Sequence, residues 1–357
     1  MRTKQQNIEL IMKLSDANGV AGFEDEVVEI CKQEIADYCD YREDSIRNLY
    51  FSLKNNQGNR PKVWLDAHSD EVGFIIQFLK NNGTMEFLPL GGWSPDTIPA
   101  SKVRIKNNHG TYIPGIVAAK PPHFMSEADR GKGPAIEQMV MDVGARSLAE
   151  LRDDFEIGIA APVVPDVICS YDEKHELFLG KAFDCRIGCA ALIETLGQNQ
   201  DKELAVDLIG TFSAQEEVGL RGAETATHAM EADIAIVFEG CPADDTFYGE
   251  EAIQSGLKRG PMLRHFDRAM ITNPRFMRHV INVAKEFKIP IQEAVRSGGG
   301  TNAGPIHKHS IPTIVIGIPV RYVHGHHGFV AYEDYLNSVE LANKIIASLN
   351  AEVIAGF

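Results

Sequence analysis

Short apolar runs that stop, again and again, at a carboxylate or an imidazole constrain this chain more than any other feature. Val206-Asp207-Leu208-Ile209-Gly210-Thr211-Phe212 reads as a buried strand and leads into Ser213-Ala214-Gln215-Glu216-Glu217-Val218-Gly219. Two adjacent carboxylates therefore stand at its C-terminal end. The run 63–67 ends at His68-Ser69-Asp70, the run 177–183 at Asp184 and the run 232–238 at Glu239, while the run 313–318 leads through Pro319-Val320-Arg321-Tyr322 to His324. In open α/β sheets ligands bind beyond that edge, where neighbouring carboxylates can divide the work, one holding a metal and the other moving a proton.

Individual positions carry further expectations. In an extended stretch, residues two apart face the same side, so Asp70 is available to hold the second ring nitrogen of a ligating His68. Asp184 precedes a predicted helix over 187–196 and has two candidate roles, capping that helix or bridging two cations with its two oxygens. Cys185 and Cys189, four apart on that helix, read as core packing. The glycines of the loop 296–304 permit close backbone approach to a ligand.

Around these runs the pattern is α/β. Helices are predicted over 8–14, 25–38, 273–288 and 332–349, with a glycine-punctuated turn at 18–23. Between about 71 and 175 the texture changes to short alternating runs, such as 72–79 and 102–106, separated by Asn-Asn-Gly and Gly-Gly turns. The simplest architecture is a catalytic α/β domain, residues 1–70 and 176–357, with a small β-rich domain inserted at 71–175. Pro121-Pro122-His123 and the charged segment 126–132 read as an exposed loop, with His123 unrelated to the metal chemistry.

A length of 357 residues suits this two-domain plan. No apolar run approaches the ~20 residues of a membrane span, and residues 1–6 lack the pattern of a secretory signal. Six cysteines without CxxC spacing suggest reduced thiols and a cytoplasmic protein. A net charge of −15 disfavours nucleic acid or an anionic membrane as partner.

His68, Asp184, Glu217, Glu239 and His324 thus form a candidate ligand set of mixed nitrogen and oxygen donors, suited to Zn²⁺, Co²⁺ or Mn²⁺, with Glu216 left over beside a ligand. Five ligands serve two metals if one carboxylate is shared. Metal pairs about 3.5–4 Å apart activate water and stabilise the oxyanion of acyl transfer.

With Gly19-Val20-Ala21-Gly22-Phe23-Glu24, Asp66-Ala67-His68-Ser69-Asp70-Glu71-Val72-Gly73, Gly91-Gly92-Trp93, Asp142-Val143-Gly144-Ala145, Ala182-Phe183-Asp184-Cys185-Arg186, Gln215-Glu216-Glu217-Val218-Gly219, Gly299-Gly300-Thr301-Asn302-Ala303 and Arg321-Tyr322-Val323-His324, the chain resembles, nearly end to end, the tetrahedral aminopeptidase family of cytosolic di-metal peptidases, which includes glutamyl aminopeptidases. The resemblance implies an α/β/α catalytic domain with a PDZ-like or barrel-like dimerisation domain. It also implies two divalent ions, most simply Zn²⁺, and peptides with a free N-terminus as substrates. His68 and Glu239 would hold one metal, Glu217 and His324 the other, Asp184 would bridge, and Glu216 would be the general base. Self-association through the inserted domain would give dimers and a twelve-subunit shell. Three positions depart from the family pattern: Glu239 and Asn302, where Asp is usual, and Gly325-His326-His327, expected to reshape the pocket for the substrate's first side chain. Two other classes compete. A glycosidase would set two carboxylates ~5–9.5 Å apart and need no histidine-rich metal set. A non-catalytic assembly protein would have lost ligands or base.

Overall fold

Alternation along four neighbouring strands decides the layering. In the computed structural model, which describes residues 2–127, 133 and 135–357, Val63, Leu65 and Ala67 face one way and Trp64 the other. Ile234, Ile236 and Phe238 oppose Ala235 and Val237 in the same manner, and Ile314 and Ile316 oppose Val315. Both faces are apolar, so both must be covered. The helices Lys4–Asp16, Asp25–Ile35, Phe183–Asn199, Pro274–Phe287 and Tyr332–Ser348 pack on the first face, and Arg221–Thr227 and Ala303–Lys308 on the second. The result is an α/β/α sandwich.

Its sheet has eight strands in the order Cys39–Glu43, Leu49–Leu53, Asp207–Ser213, Lys62–His68, Ile234–Pro242, Thr313–Val320, Met262–Phe266, Gln292–Val295. The four from Asp207–Ser213 to Thr313–Val320 are mutually parallel. Register places Ser213 opposite His68 and Glu239 opposite Gly317, so the polar ends of these runs gather on one edge of the sheet.

Between Gly73 and Pro165 six antiparallel strands close into a barrel in the order Gly73–Leu79, Met85–Leu90, Val140–Asp142, Tyr112–Ala118, Lys102–Lys106, Pro162–Pro165. The inward residues Phe74, Ile76, Met85, Phe87, Val103, Ile105, Val117 and Met141 form a second core. Closure leaves this small sheet without a free edge. Of the predicted charged loop, residues 128–132 lie outside the described residues.

Two local expectations need correction. Leu177–Gly180 is not a strand of the main sheet: it pairs antiparallel with Ser170–Asp172 and with Gly328–Ala331 in a separate three-stranded sheet. The second helix stops at Ile35, because the chain turns there into the edge strand Cys39–Glu43.

Candidate metal centre

The edge where the parallel strands end assembles all the predicted ligands. His68 is the last residue of its strand and is buried, as are Glu216 and Glu239. Its Nε2 lies 3.0 Å from Asp184 Oδ1 and 3.8 Å from Glu239 Oε2. Across the centre, His324 Nε2 lies 3.1 Å from Glu217 Oε2 and 3.6 Å from Asp184 Oδ2. One carboxylate thus turns one oxygen toward each histidine. His68, Asp184, Cys185 and Glu239 present donor atoms within 4.8 Å of one another, and so do Asp184, Glu217 and His324, two groups that share Asp184, while His68, Glu216 and Glu217 form a third.

The local backbone explains how Asp184 reaches that place. The expected alternative, a helix cap, does not occur: Asp184 (φ −83°, ψ 105°) and Cys185 (φ −114°, ψ 33°) are non-helical, and no side chain caps the segment. Gly240 is what admits it, because a Cβ there would stand 2.5 Å from Phe183 O and 2.7 Å from Asp184 Cα. Ala182 (φ 55°), Gln215 (φ 55°) and His324 (φ 59°) all occupy the left-handed region without being glycine, each costing about 1–3 kcal/mol and each at or within two residues of a candidate site residue.

Charge is crowded here. Burial pushes Glu216 well above the usual carboxylate range, opposed by His68 and reinforced by Glu239 and Glu217. Burial also raises Glu217 against the pull of His324, and raises Glu239 to about 8. Burial opposes ionisation of His324, yet the hydrogen bond and charge of Glu217, with Asp184, push it up to about 9. In the chain alone, protons must therefore neutralise part of the cluster. Buried Glu217 Oε1 and Glu239 Oε2 have no hydrogen-bond partner among the described residues. A mixed N/O set with orphaned carboxylate oxygens is what divalent cations satisfy, displacing those protons as they bind. The residues fit a metal pair.

Several neighbours refine the picture. Asp70 stands beside His68, with Oδ1 3.4 Å from His68 Nδ1. Its oxygens also accept from the amides of Glu216 (2.9 Å) and Glu217 (3.1 Å). Cys185 belongs to one ligand group, which its sequence context as core packing did not suggest. Its Sγ donates to Phe238 O at 3.2 Å, and burial holds the thiol well above its ordinary range. Asn302 Nδ2 donates to Asp66 Oδ2 at 2.7 Å, both residues buried, so this departure spares the core a carboxylate pair. His326, expected to shape the pocket, lies with Nε2 2.6 Å from Lys102 O on a barrel strand.

A cavity of about 680 Å³ opens over the cluster, lined by Glu216, Glu239, Arg264, Arg296, Gly299 and Tyr322 among others. The barrel contributes as well. Gly92 lies on the cavity wall, and a Cβ at Gly91 would stand 3.3 Å from Glu217 Cβ.

The profile of the M42 glutamyl aminopeptidases matches residues 48–341. The glutamyl aminopeptidase of Lactococcus lactis subsp. cremoris is 31% identical over 353 residues, 97% of either chain. Among solved structures, a TET aminopeptidase from a marine sediment archaeon of the Thaumarchaeota superposes with a TM-score of 0.94 at 36% identity, over 98% of this chain and 99% of that one. The TET1 peptidase of Pyrococcus horikoshii, described as able to assemble into a tetrahedron or a large octahedral shell, superposes with a TM-score of 0.86 at 27% identity, over 96% of this chain and all of that one.

Proposed function

Because the chain belongs to the M42 glutamyl aminopeptidase family and is a metal-dependent aminopeptidase, we propose that it binds two divalent ions, most simply Zn²⁺, and removes residues from peptides with a free N-terminus, using Glu216 as general base. The observation that carries this reading is Asp184, its two oxygens turned to His68 and His324 between the two donor groups. His68 and Glu239 complete one side and Glu217 and His324 the other. Divalent cations held there supply Lewis acidity toward water and a carbonyl oxygen.

The chain's own residues supply the rest. Among the described residues the Glu216 carboxylate makes no ion pair, whereas Glu217 pairs with His324, so Glu216 is the carboxylate free to move protons. It takes one proton from water as the oxygen bonds to the scissile carbonyl carbon, and gives it to the amide nitrogen as the C–N bond breaks. Its raised basicity suits that task. The cavity above it receives the first side chain.

The chain's six cysteines are all buried free thiols, which supports a cytoplasmic setting. Residues 71–175, the source of the barrel, are proposed as the dimerisation domain from which a dodecameric shell is built.

Metal analysis with a peptide panel tests the reading. The protein is expected to hold about two divalent ions per chain, to lose hydrolysis on chelation, and to cleave free peptides in strong preference to their N-acetylated forms. Full activity in a verified metal-free sample, or equal turnover of blocked and free peptides, overturns it.

Glu239 provides a second test. Aspartate at 239 keeps a ligating carboxylate, whereas alanine opens a coordination position. Glu239→Asp is therefore expected to retain two metals and most of the activity, and Glu239→Ala to lose about one metal per chain. Parent stoichiometry and rate in Glu239→Ala would move the ligand role to another group.

A further inference from the structure

We infer that Glu24 is a positioning residue of the reaction, holding the segment that carries Glu216 and Glu217 by accepting the amide of Gln215. This rests on the assignment of Glu216 as base, and it concerns a residue 191 positions away in sequence.

The segment needs such a device because its strand ends at Ser213. Beyond that point no sheet neighbour among the described residues is available to the backbone donors, yet buried amides require partners. Four consecutive amides find them in side chains from three separate stretches of the chain. Ala214 N donates to Asn48 Oδ1 at 2.9 Å, Gln215 N to Glu24 Oε1 at 3.1 Å, and Glu216 N and Glu217 N to the two oxygens of Asp70. Gln215 also sits in the left-handed region (φ 55°), which a non-glycine residue keeps only when its surroundings impose it.

Glu24 is built for this rather than for its local element. It occupies the position before the helix Asp25–Ile35 but makes no side-chain cap bond to it. The side chain turns inward instead, fully buried, with Oε1 shared between Gly22 N (2.8 Å) and Gln215 N and with Oε2 lacking a hydrogen-bond partner among the described residues. Gly22 (φ 88°) provides the turn that brings its own amide onto Glu24. Burial, with Asp70 adding to it, pushes the carboxyl up to about 7. Burying a carboxyl and leaving one oxygen unpaired is unfavourable for stability, and a leucine would fill the same space without that cost. The retained group is explained by the amide it fixes one residue before the base.

Paired variants test the role, each loaded with excess Zn²⁺ and compared with the parent on the same unblocked peptide. Glu24→Gln keeps an acceptor oxygen for both amides and is expected to stay within about threefold of parent kcat. Glu24→Leu removes the acceptor, and because small displacements of a reacting group are costly it is expected to lose about 10- to 100-fold in kcat with little change in KM. Hydrogen exchange should read faster opening across residues 214–217 in the leucine variant than in the parent. Parent kcat in Glu24→Leu, or equal impairment of both variants, overturns the assignment. If Glu24→Leu does not fold, Glu24→Asp decides: its shorter side chain cannot reach Gln215 N, so a lowered kcat with parent KM is expected and parent kcat overturns. The two readings separate cleanly. An inactive parent retires the aminopeptidase reading while exchange across 214–217 still reports on Glu24, and an active parent with an equally active leucine variant retires only Glu24.

Discussion

Glu216→Gln is expected to lower kcat by about 10²–10⁴-fold, the usual contribution of a general acid–base group, while metal content stays at the parent value. In the proposed mechanism two neighbouring carboxylates have different tasks, and their surroundings differ accordingly. Glu217 Oε2 lies 3.1 Å from His324 Nε2, and its other oxygen is buried with no hydrogen-bond partner among the described residues, which suits a ligand role. Glu216 presents a donor atom within 4.8 Å of His68 but makes no ion pair among the described residues, and it lines the cavity. The amide is nearly the same shape as the carboxylate, and the backbone amide of Glu216 stays bonded to Asp70 in either case, so the fold has no reason to change. Glu217→Gln removes ligand charge and is expected to reduce metal occupancy. Metal analysis alongside steady-state kinetics on both variants separates these outcomes. An active Glu216→Gln together with a fully loaded Glu217→Gln would reverse the assignment.

What the sequence made legible follows from short-range physics. A buried parallel strand must be apolar throughout, so its end is marked by the first polar residue. That marking located His68, Glu216, Glu217 and Glu239 on one edge of the sheet. Alternation likewise identified a β-rich segment near residue 71, which the structure shows as a closed barrel.

The rest depended on long-range pairing or on backbone geometry that no periodicity encodes. Leu177–Gly180 has the composition of a sheet strand, but its partner Gly328–Ala331 lies about 150 residues on, and nothing local selects that partner over the main sheet. Cys39–Glu43 alternates too little to read as a strand, since an edge strand with three successive exposed residues lacks the signal. Capping and bridging both stay open for Asp184 in the sequence because pattern cannot show that the chain stays non-helical through Cys185 and is admitted by Gly240 on a neighbouring strand. Glu24 was hidden for a related reason: an acidic residue before a helix reads as ordinary dipole compensation, while its actual partner is Gln215.

Asp184→Ala is expected to have the widest effect of any ligand substitution. In the proposed assignment each other ligand serves one side of the centre, so its loss should cost about one metal. Among the described residues Asp184 is the carboxylate with an oxygen within 4 Å of each histidine, 3.0 Å from His68 and 3.6 Å from His324, and its loss should weaken both sides together. With several kcal/mol of Lewis-acid stabilisation removed, activity should fall by about 10³-fold or more. Alanine at 184 is also the milder change for the fold, because the backbone there packs against Gly240 through Cα and N, which alanine leaves in place. Helical content and oligomeric state should therefore match the parent while metal analysis shows fewer than two ions per chain. Excess metal distinguishes bridging from a simple ligand role. A one-sided ligand variant such as Glu239→Ala should regain its missing ion at high metal concentration, whereas Asp184→Ala should require more metal for both ions. If Asp184→Ala instead holds two ions at parent affinity, the two donor groups do not share this carboxylate and the centre is not a bridged pair.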